Sequence, residues 1–276
     1  MSKKREKSKK YVAIIGCGVI GGALAEHADK KLGEYVSKIF LYDKCVEKSE
    51  ILSKKLSKAY VCDSLEDAIQ KADLIVEASV PKVVPIILKQ AVNKNKDVMI
   101  MSVGGVLGCT KLLEKAEKKK IRILIPSGAI SGIDGMKSAK LAGITAVSIT
   151  TRKPVMSIKG APYLEKKGIE LDKIKEETVI FDGNACEAIE AFPANINVSA
   201  ILSLAGIGPK KTKVKIIISP EYTKNVHEIC IESGAGKITT RTENVPSPDN
   251  PKTSYLAVLS AKAALDGYFA NVRLGT

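Results

Sequence analysis

The chain has 276 residues, 45% hydrophobic and 27% charged, which is enough apolar material for one large core or two small ones and excludes a disordered or fibrous protein. No stretch approaches the roughly 18 consecutive apolar residues of a membrane span, no apolar signal region follows the charged start, and six cysteines without a C-x-x-C pair beside only two histidines speak against a disulfide framework or a zinc site. The expectation is a cytoplasmic, unprocessed protein without a metal, its cysteines reduced and mostly buried. The net charge of +14 raises nucleic acid as a partner. However, the tail 1–10 (Lys3, Lys4, Arg5, Lys7, Lys9 and Lys10 against Glu6) carries more than a third of it, and stretches such as Lys111 to Lys120 interleave their lysines with Glu114 and Glu117. With 4% aromatic residues and no stacking motif, neither a specific nucleic-acid partner nor a membrane is expected.

Tyr11 to Ile15 is an apolar run ending in Gly16-Cys17-Gly18-Val19-Ile20-Gly21, after which Ala23, Leu24, Ala28 and Leu32 recur at helical spacing. A second strand, Lys38 to Tyr42, ends at Asp43. Helices are predicted near Val46 to Leu56 and Ser64 to Lys71, alternating with strands at Ala59 to Val61 and Leu74 to Glu77. Pro81 opens a helix to about Asn93, Asp97 to Met101 is a buried strand, Thr110 caps a helix to Lys120, and Ile121 to Ile125 is a further strand. Strict alternation of strand and helix predicts a parallel sheet with right-handed crossovers.

From Pro126 the rhythm changes. A glycine-punctuated stretch, Ser127 to Gly135, leads to a helix ending near Ala142 and a β-branched run, Ile144 to Thr151. Pro154 to Gly183 reads as a charged, linker-like excursion. Glu187 to Ala191 and Asn197 to Leu204 read as helices, and Val214 to Ser219, Val226 to Glu232 and Lys237 to Glu243 as successive strands of a mixed sheet. Thr253 to Phe269 is the closing helix, started by Thr253 or Ser254 after Pro251.

The glycine motif sits directly between a strand and a helix, and an acidic residue follows about 20 residues later at the next strand end, the arrangement of a dinucleotide site. Gly16 permits the tight turn, Gly18 admits a pyrophosphate to the backbone, and Gly21 lets helix and sheet pack closely; Val19 and Ile20 open the helix whose N-terminus faces the phosphates. Asp43 is placed to accept from the adenosine ribose hydroxyls, which favours NAD, while Lys44 softens any discrimination against NADP. Ala78 and Ser79, and the loop from Ser102 to Gly105, follow the next strands and are expected to line the cofactor cleft, or else to be ordinary turn residues. The fold class is therefore α/β: a Rossmann-type doubly wound parallel sheet over 1–125, completed by a C-terminal helix 253–270, plus a smaller α+β mixed-sheet domain over 126–252. An active site in the cleft between the domains and a homodimer are expected.

Four segments, Pro126-Ser127-Gly128-Ala129-Ile130, Phe192-Pro193-Ala194-Asn195-Ile196-Asn197-Val198, Asn225-Val226-His227-Glu228-Ile229 and Glu243 to Ser254 with its Pro-Ser-Pro-Asp-Asn-Pro core, make the chain similar to the archaeal and bacterial L-aspartate dehydrogenases from Tyr11 onward. The resemblance implies NAD(P)-dependent oxidation of L-aspartate to iminosuccinate, which yields oxaloacetate and ammonia on hydrolysis or feeds NAD biosynthesis. It also implies that His227 is catalytic and that Ala129 and Asn197 contact the cofactor. Physically, loss of hydride from the α-carbon requires removal of a proton from the ammonium group, a task for a base near neutral pKa, and the substrate's carboxylates would favour a charged imidazole. Asn197 is alternatively a helix cap. Lys252, Thr253 and Ser127 are candidates for the substrate carboxylates, with a solvated lysine and a helix cap as the ordinary roles of the first two; Ala129 can act only through its backbone N–H, and a turn is its alternative. The rival functions are a reductase of similar plan acting on homoserine or dihydrodipicolinate, or a non-catalytic NAD-binding protein.

Overall fold

A computed structural model describes residues 9–192, 197–248 and 250–275, without the side chains of Pro251 and Lys252. The chain parts into two compact units: one runs up to Pro126 and takes back Ala261–Asn271, and the other is built on Ser127–Ser260.

In the first unit strands and helices alternate: β1 (Lys10–Ile15), α1 (Val19–Lys30), β2 (Val36–Tyr42), α2 (Val46–Ser53), β3 (Ala59–Val61), α3 (Leu65–Lys71), β4 (Leu74–Glu77), α4 (Val84–Asn93, entered through a 3-10 turn at Pro81–Val83), β5 (Asp97–Ile100), α5 (Thr110–Lys118) and β6 (Ile123–Leu124). All ladders are parallel, in the order β3-β2-β1-β4-β5-β6. The chain leaves β1 toward one edge and returns from β3 to pair β4 against β1, which makes the β1/β4 boundary the switch point where such sheets bind ligands beyond their strand ends. The central strands are apolar on both faces because helices cover both: Val12, Ala13, Ile14, Leu74, Ile75 and Val76 are all fully buried. Thr110 is the first helical residue of α5 rather than its cap; Cys109 holds the cap position and makes no side-chain cap bond.

The second unit comprises α6 (Ile133–Lys140), β7 (Ile144–Pro154), α7 (Pro162–Lys167), β8 (Thr178–Asn184), α8 (Ala185–Ala191), α9 (Asn197–Ala205), β9 (Lys213–Ser219), β10 (Asn225–Ser233), β11 (Gly236–Asn244), a short hairpin β12 (Pro246–Ser247) and β13 (Asn250–Ser254), and the start of α10 (Tyr255–Phe269). Its five-stranded mixed sheet has the order β11-β10-β7-β9-β8. Three expectations need correction. The stretch from Pro154 to Gly183 is no linker: it folds α7 and supplies edge strand β8, whose Ile180 and Phe181 are buried and which pairs antiparallel to β9. β9 and β10 are not neighbours, because β7 lies between them and pairs with both. Thr253 and Ser254 belong to strand β13, so the last helix starts at Tyr255. The later turns of α10 pack into the first unit, where Ala261, Leu265, Tyr268 and Phe269 join Val12, Leu24, Val36 and Met99 in one core cluster. Tyr268 donates to Asp97 Oδ2 at 2.8 Å, with the Arg122 guanidinium 4.2 Å from its ring centre.

Of the cysteines, Cys17, Cys62 and Cys109 are buried, Cys186 and Cys230 half-buried and Cys45 exposed; all are free thiols. Among the described residues no helix is long and apolar enough to cross a membrane.

Candidate active site

The first unit holds a cavity of about 510 Å³ beyond the ends of β1, β2 and β4, lined by Gly16, Gly18, Asp43, Ala78 and Ser79 together with Lys44 and Lys48. Backbone bonds tie its rim: Gly16 N–H donates to the Tyr42 carbonyl at 2.8 Å and Ala78 N–H to the Ile15 carbonyl at 2.8 Å. Gly16 has φ +96°, and a Cβ there would lie 2.5 Å from the Ala78 carbonyl oxygen, so both conformation and space require glycine. A Cβ at Gly21 would lie 1.8 Å from the Gly16 carbonyl oxygen, which makes this glycine the close-packing point of α1 on the turn. Val19 and Ile20 form the first turn of α1, as expected.

The cavity fits a dinucleotide. A Cβ built at Gly18 meets no atom within 4 Å, so the space over this peptide is open. The N-terminus of α1 also has no side-chain cap and no acidic residue in its first turn, which leaves its N–H groups and partial positive charge for phosphate. Asp43 accepts from Cys17 N–H at 2.7 Å through Oδ2 and from Cys45 N–H at 2.9 Å through Oδ1. These bonds fix the carboxylate at the cavity wall with lone pairs remaining for ribose hydroxyls. The Cys17 thiol is pushed up to about 12 by burial and then by the Asp43 charge, which keeps it an inert packing residue.

Sequence reasoning missed Glu77. Fully buried at the end of β4, its Oε1 accepts from Ser79 N–H at 2.7 Å, Ser79 Oγ at 2.9 Å and Ser102 Oγ at 2.8 Å, and its Oε2 from Ser102 N–H at 2.9 Å. One carboxylate thus ties together the loops that follow β4 and β5. A charged residue closing an otherwise apolar central strand was the available signal.

In the second unit His227 is 4% exposed, on the buried face of β10. Its register partner on β7 is Thr151, whose Oγ1 lies 3.0 Å from His227 Nδ1, and its partner on β11 is Thr242. Burial, and then the charge of Lys153, push His227 down to about 3, so the imidazole is neutral over the working range and has a lone pair to offer a proton. Lys153 is itself buried, at 8% exposure, and pushed down to about 8 by desolvation. The expectation of an imidazole titrating near neutrality is corrected for the protein by itself, because burial holds both His227 and Lys153 toward their uncharged forms. Sequence reasoning missed Lys153 as well: it continues the alternation Val147, Ile149, Thr151 beyond the predicted end of the strand, and a lysine in the buried phase of a strand is out of pattern only once that phase is known.

Ala129, 6% exposed, is fixed from the same sheet: its carbonyl accepts from Asn244 Nδ2 at 3.0 Å and from Thr242 Oγ1 at 3.3 Å. Ser127 is half-buried at the head of this segment. Asn197 opens α9 and is exposed, and Thr253 is half-buried in β13. The side chain of Lys252, residues 1–8, Asp249 and the motif residues Pro193 to Ile196 lie outside the described residues. The opposite face of the sheet is charged: Glu228 is bracketed by Arg152 and Arg241, and Arg241 also reaches Glu243 at 3.0 Å.

Two family models match the chain: "Homoserine dehydrogenase, NAD binding domain" over residues 16–126 and "Aspartate dehydrogenase, C-terminal" over residues 134–268. The chain is 43% identical to the L-aspartate dehydrogenase of Methanosarcina barkeri and 44% identical to that of Methanosarcina mazei, in each case over 96% of this chain and 99% of the relative. Among solved structures it is similar to aspartate dehydrogenase from Thermotoga maritima, with a TM-score of 0.74 and 27% identity over 96% of this chain and 99% of that one. A homoserine dehydrogenase from Thiobacillus denitrificans, at 12% identity and a TM-score of 0.60, shares the fold. With a glycine-turn cradle in the first unit and a buried imidazole in the second, the chain belongs to the L-aspartate dehydrogenase family and is an NAD(P)-dependent oxidoreductase.

Proposed function

We propose that the substrate is L-aspartate and that the reaction is its oxidation to iminosuccinate, which hydrolyses to oxaloacetate and ammonia or serves as a precursor for NAD biosynthesis. The observation that carries this reading is the neutral, buried His227 beside the cationic Lys153 on one face of β7 and β10. That pairing offers a proton acceptor next to a positive charge, which suits a substrate with one ammonium group and two carboxylates. When bound, the nicotinamide supplies the hydride acceptor. His227 takes a proton from the α-ammonium; the amine lone pair then forms the C=N bond as hydride leaves the α-carbon. In the reverse direction the protonated imidazole returns that proton to nitrogen.

The first unit orients the dinucleotide through Gly16, Gly18, the first turn of α1 with Val19, Ile20 and Gly21, Asp43, Ala78 and Ser79; Ala129 and Asn197 add cofactor contacts from the second. Ser127, Lys252 and Thr253 are secondary candidates for substrate contact. A homodimer belongs to the same reading, supported by the exposed Met156, Val179 and Leu256, and sedimentation equilibrium checks it. The function is tested by NADH formation with L-aspartate beside L-homoserine, L-malate and L-glutamate at mildly alkaline pH. Turnover with aspartate alone is expected; turnover with homoserine alone replaces the substrate assignment, and silence on all four removes it.

A further inference from the structure

Beyond His227, the buried face of the mixed sheet ends in a row of polar side chains. Thr151, His227 and Thr242 lie side by side across β7, β10 and β11. One alternation further on, the same face carries Lys153, Asn225 and Asn244; Asn225 is the register partner of Asn244, and Lys153 is one step beyond the pairing of Arg152 with Val226. Lys153 and Asn244 are both more than nine-tenths buried, at 8% and 3% exposure. We propose that this row is the substrate cradle, in which the Lys153 ammonium receives a carboxylate of the amino acid and the Asn244 side-chain oxygen accepts from its α-ammonium. The proposal rests on the aspartate reading and names the anchors of that substrate.

Among the described residues Asn244 Oδ1 is buried without a hydrogen-bond partner, a state that costs free energy until a donor arrives. Its amide cannot turn round to relieve this, because Nδ2 is committed to the Ala129 carbonyl at 3.0 Å. An acceptor fixed in this way calls for an N–H donor, and an ammonium group carries three. At the other end of the row, a buried ammonium is a strong anchor for carboxylate, since charge-assisted hydrogen bonds strengthen where water is excluded. Two strand spacings separate Lys153 from Asn244, roughly 10 Å between backbones, a span that side chains and a four-carbon dicarboxylic amino acid fill together.

The arrangement also explains how a weakly basic imidazole becomes competent. The positive charge of Lys153 is one of the two influences pushing His227 down. A carboxylate paired with Lys153 cancels that influence, and its negative charge favours imidazolium. Substrate binding and proton acceptance are thereby linked through one ion pair.

The test uses the full-length enzyme with Lys153→Met, which keeps the length of the side chain and removes its charge. The Michaelis constant for L-aspartate should rise by about 30-fold or more. Succinate, which has both carboxylates and no amine, should lose its competitive inhibition, and NAD binding by calorimetry should change less than about twofold. Succinate inhibition that survives in Lys153→Met overturns the proposal. Should that variant fail to fold, the wild-type enzyme is reductively methylated with and without succinate and its peptides weighed: Lys153 should be protected by succinate, and equal labelling overturns the proposal. Wild-type enzyme that is silent with L-aspartate yet protects Lys153 with succinate sinks the aspartate reading and leaves the carboxylate anchor standing. Turnover with L-aspartate without any effect at Lys153 does the reverse.

Discussion

Asp43 holds two posts at once, since its oxygens fix the backbone of Cys17 and Cys45 at 2.7 and 2.9 Å while the carboxylate lines the cofactor cavity. Asp43→Ala should therefore loosen the glycine turn for either cofactor and, on the proposed ribose contact, weigh most on NAD. The Michaelis constant for NAD should rise about tenfold and that for NADP distinctly less, helped by Lys44 and Lys48 at the same wall; equal rises in steady-state assays would remove the ribose role. For His227, exchange to Asn keeps a polar group opposite Thr151 and deletes the proton acceptor. The turnover number should fall about 100-fold with NAD affinity nearly unchanged, and a variant as fast as wild type would take the imidazole out of the mechanism. Gly16, Gly18, Gly21 and Asp43 were legible as a motif because local backbone geometry dictates them. Glu77, Lys153 and Asn244 were not, because a lone charged or amide side chain has meaning only once burial and partners are known.

Glu77 makes its case at the level of elements, where it joins the ends of β4 and β5 through two N–H groups and two hydroxyls. Glu77→Gln replaces one acceptor oxygen by an NH₂ facing those donors, and the backbone N–H groups cannot rotate away. A loss of about 2–3 kcal/mol in stability is expected, together with weaker NAD binding as the two loops separate; urea unfolding alongside a calorimetric titration checks both, and an unchanged midpoint and affinity would reduce Glu77 to a bystander. The elements of the first unit were readable almost residue for residue, because parallel strands covered on both faces are short apolar runs and their helices carry Pro, Ser and Gly at the ends. β8 was hidden, since Thr178 to Asn184 is a half-exposed edge strand in a charged stretch and gains its identity only from pairing with β9. Thr253 likewise resembles a helix start after a proline, yet the hairpin with Pro246 and Ser247 draws its segment into a strand.

Folding as a whole carries the cost of the two buried bases. His227 drops from an ordinary 6.5 to about 3 on folding, so between those values the unfolded chain binds a proton that the native state does not. Its contribution is complete above pH 6.5 and is lost as the pH falls toward 3, with a slope of up to about 1.4 kcal/mol per pH unit. Lys153, lowered from 10.5 to about 8, acts with the same sign in the alkaline window, where stability rises with pH between 8 and 10.5. Thermal midpoints should therefore decline on acidification from pH 6.5 to 4, and His227→Asn should flatten that decline; an acid limb of equal slope in both proteins would mean that other groups govern it. Strand and helix rhythm, the glycine turn, the acidic residue after β2 and the family motifs were all written locally along the chain, because propensity, periodicity and backbone sterics act over a few residues. Which strands become neighbours, which face of β7 is buried, and hence that Lys153, His227 and Asn244 share one surface, depended on long-range pairing of β7, β10 and β11. Burial then set the protonation states of these groups, a property that depends on how much water the packed fold leaves around each side chain.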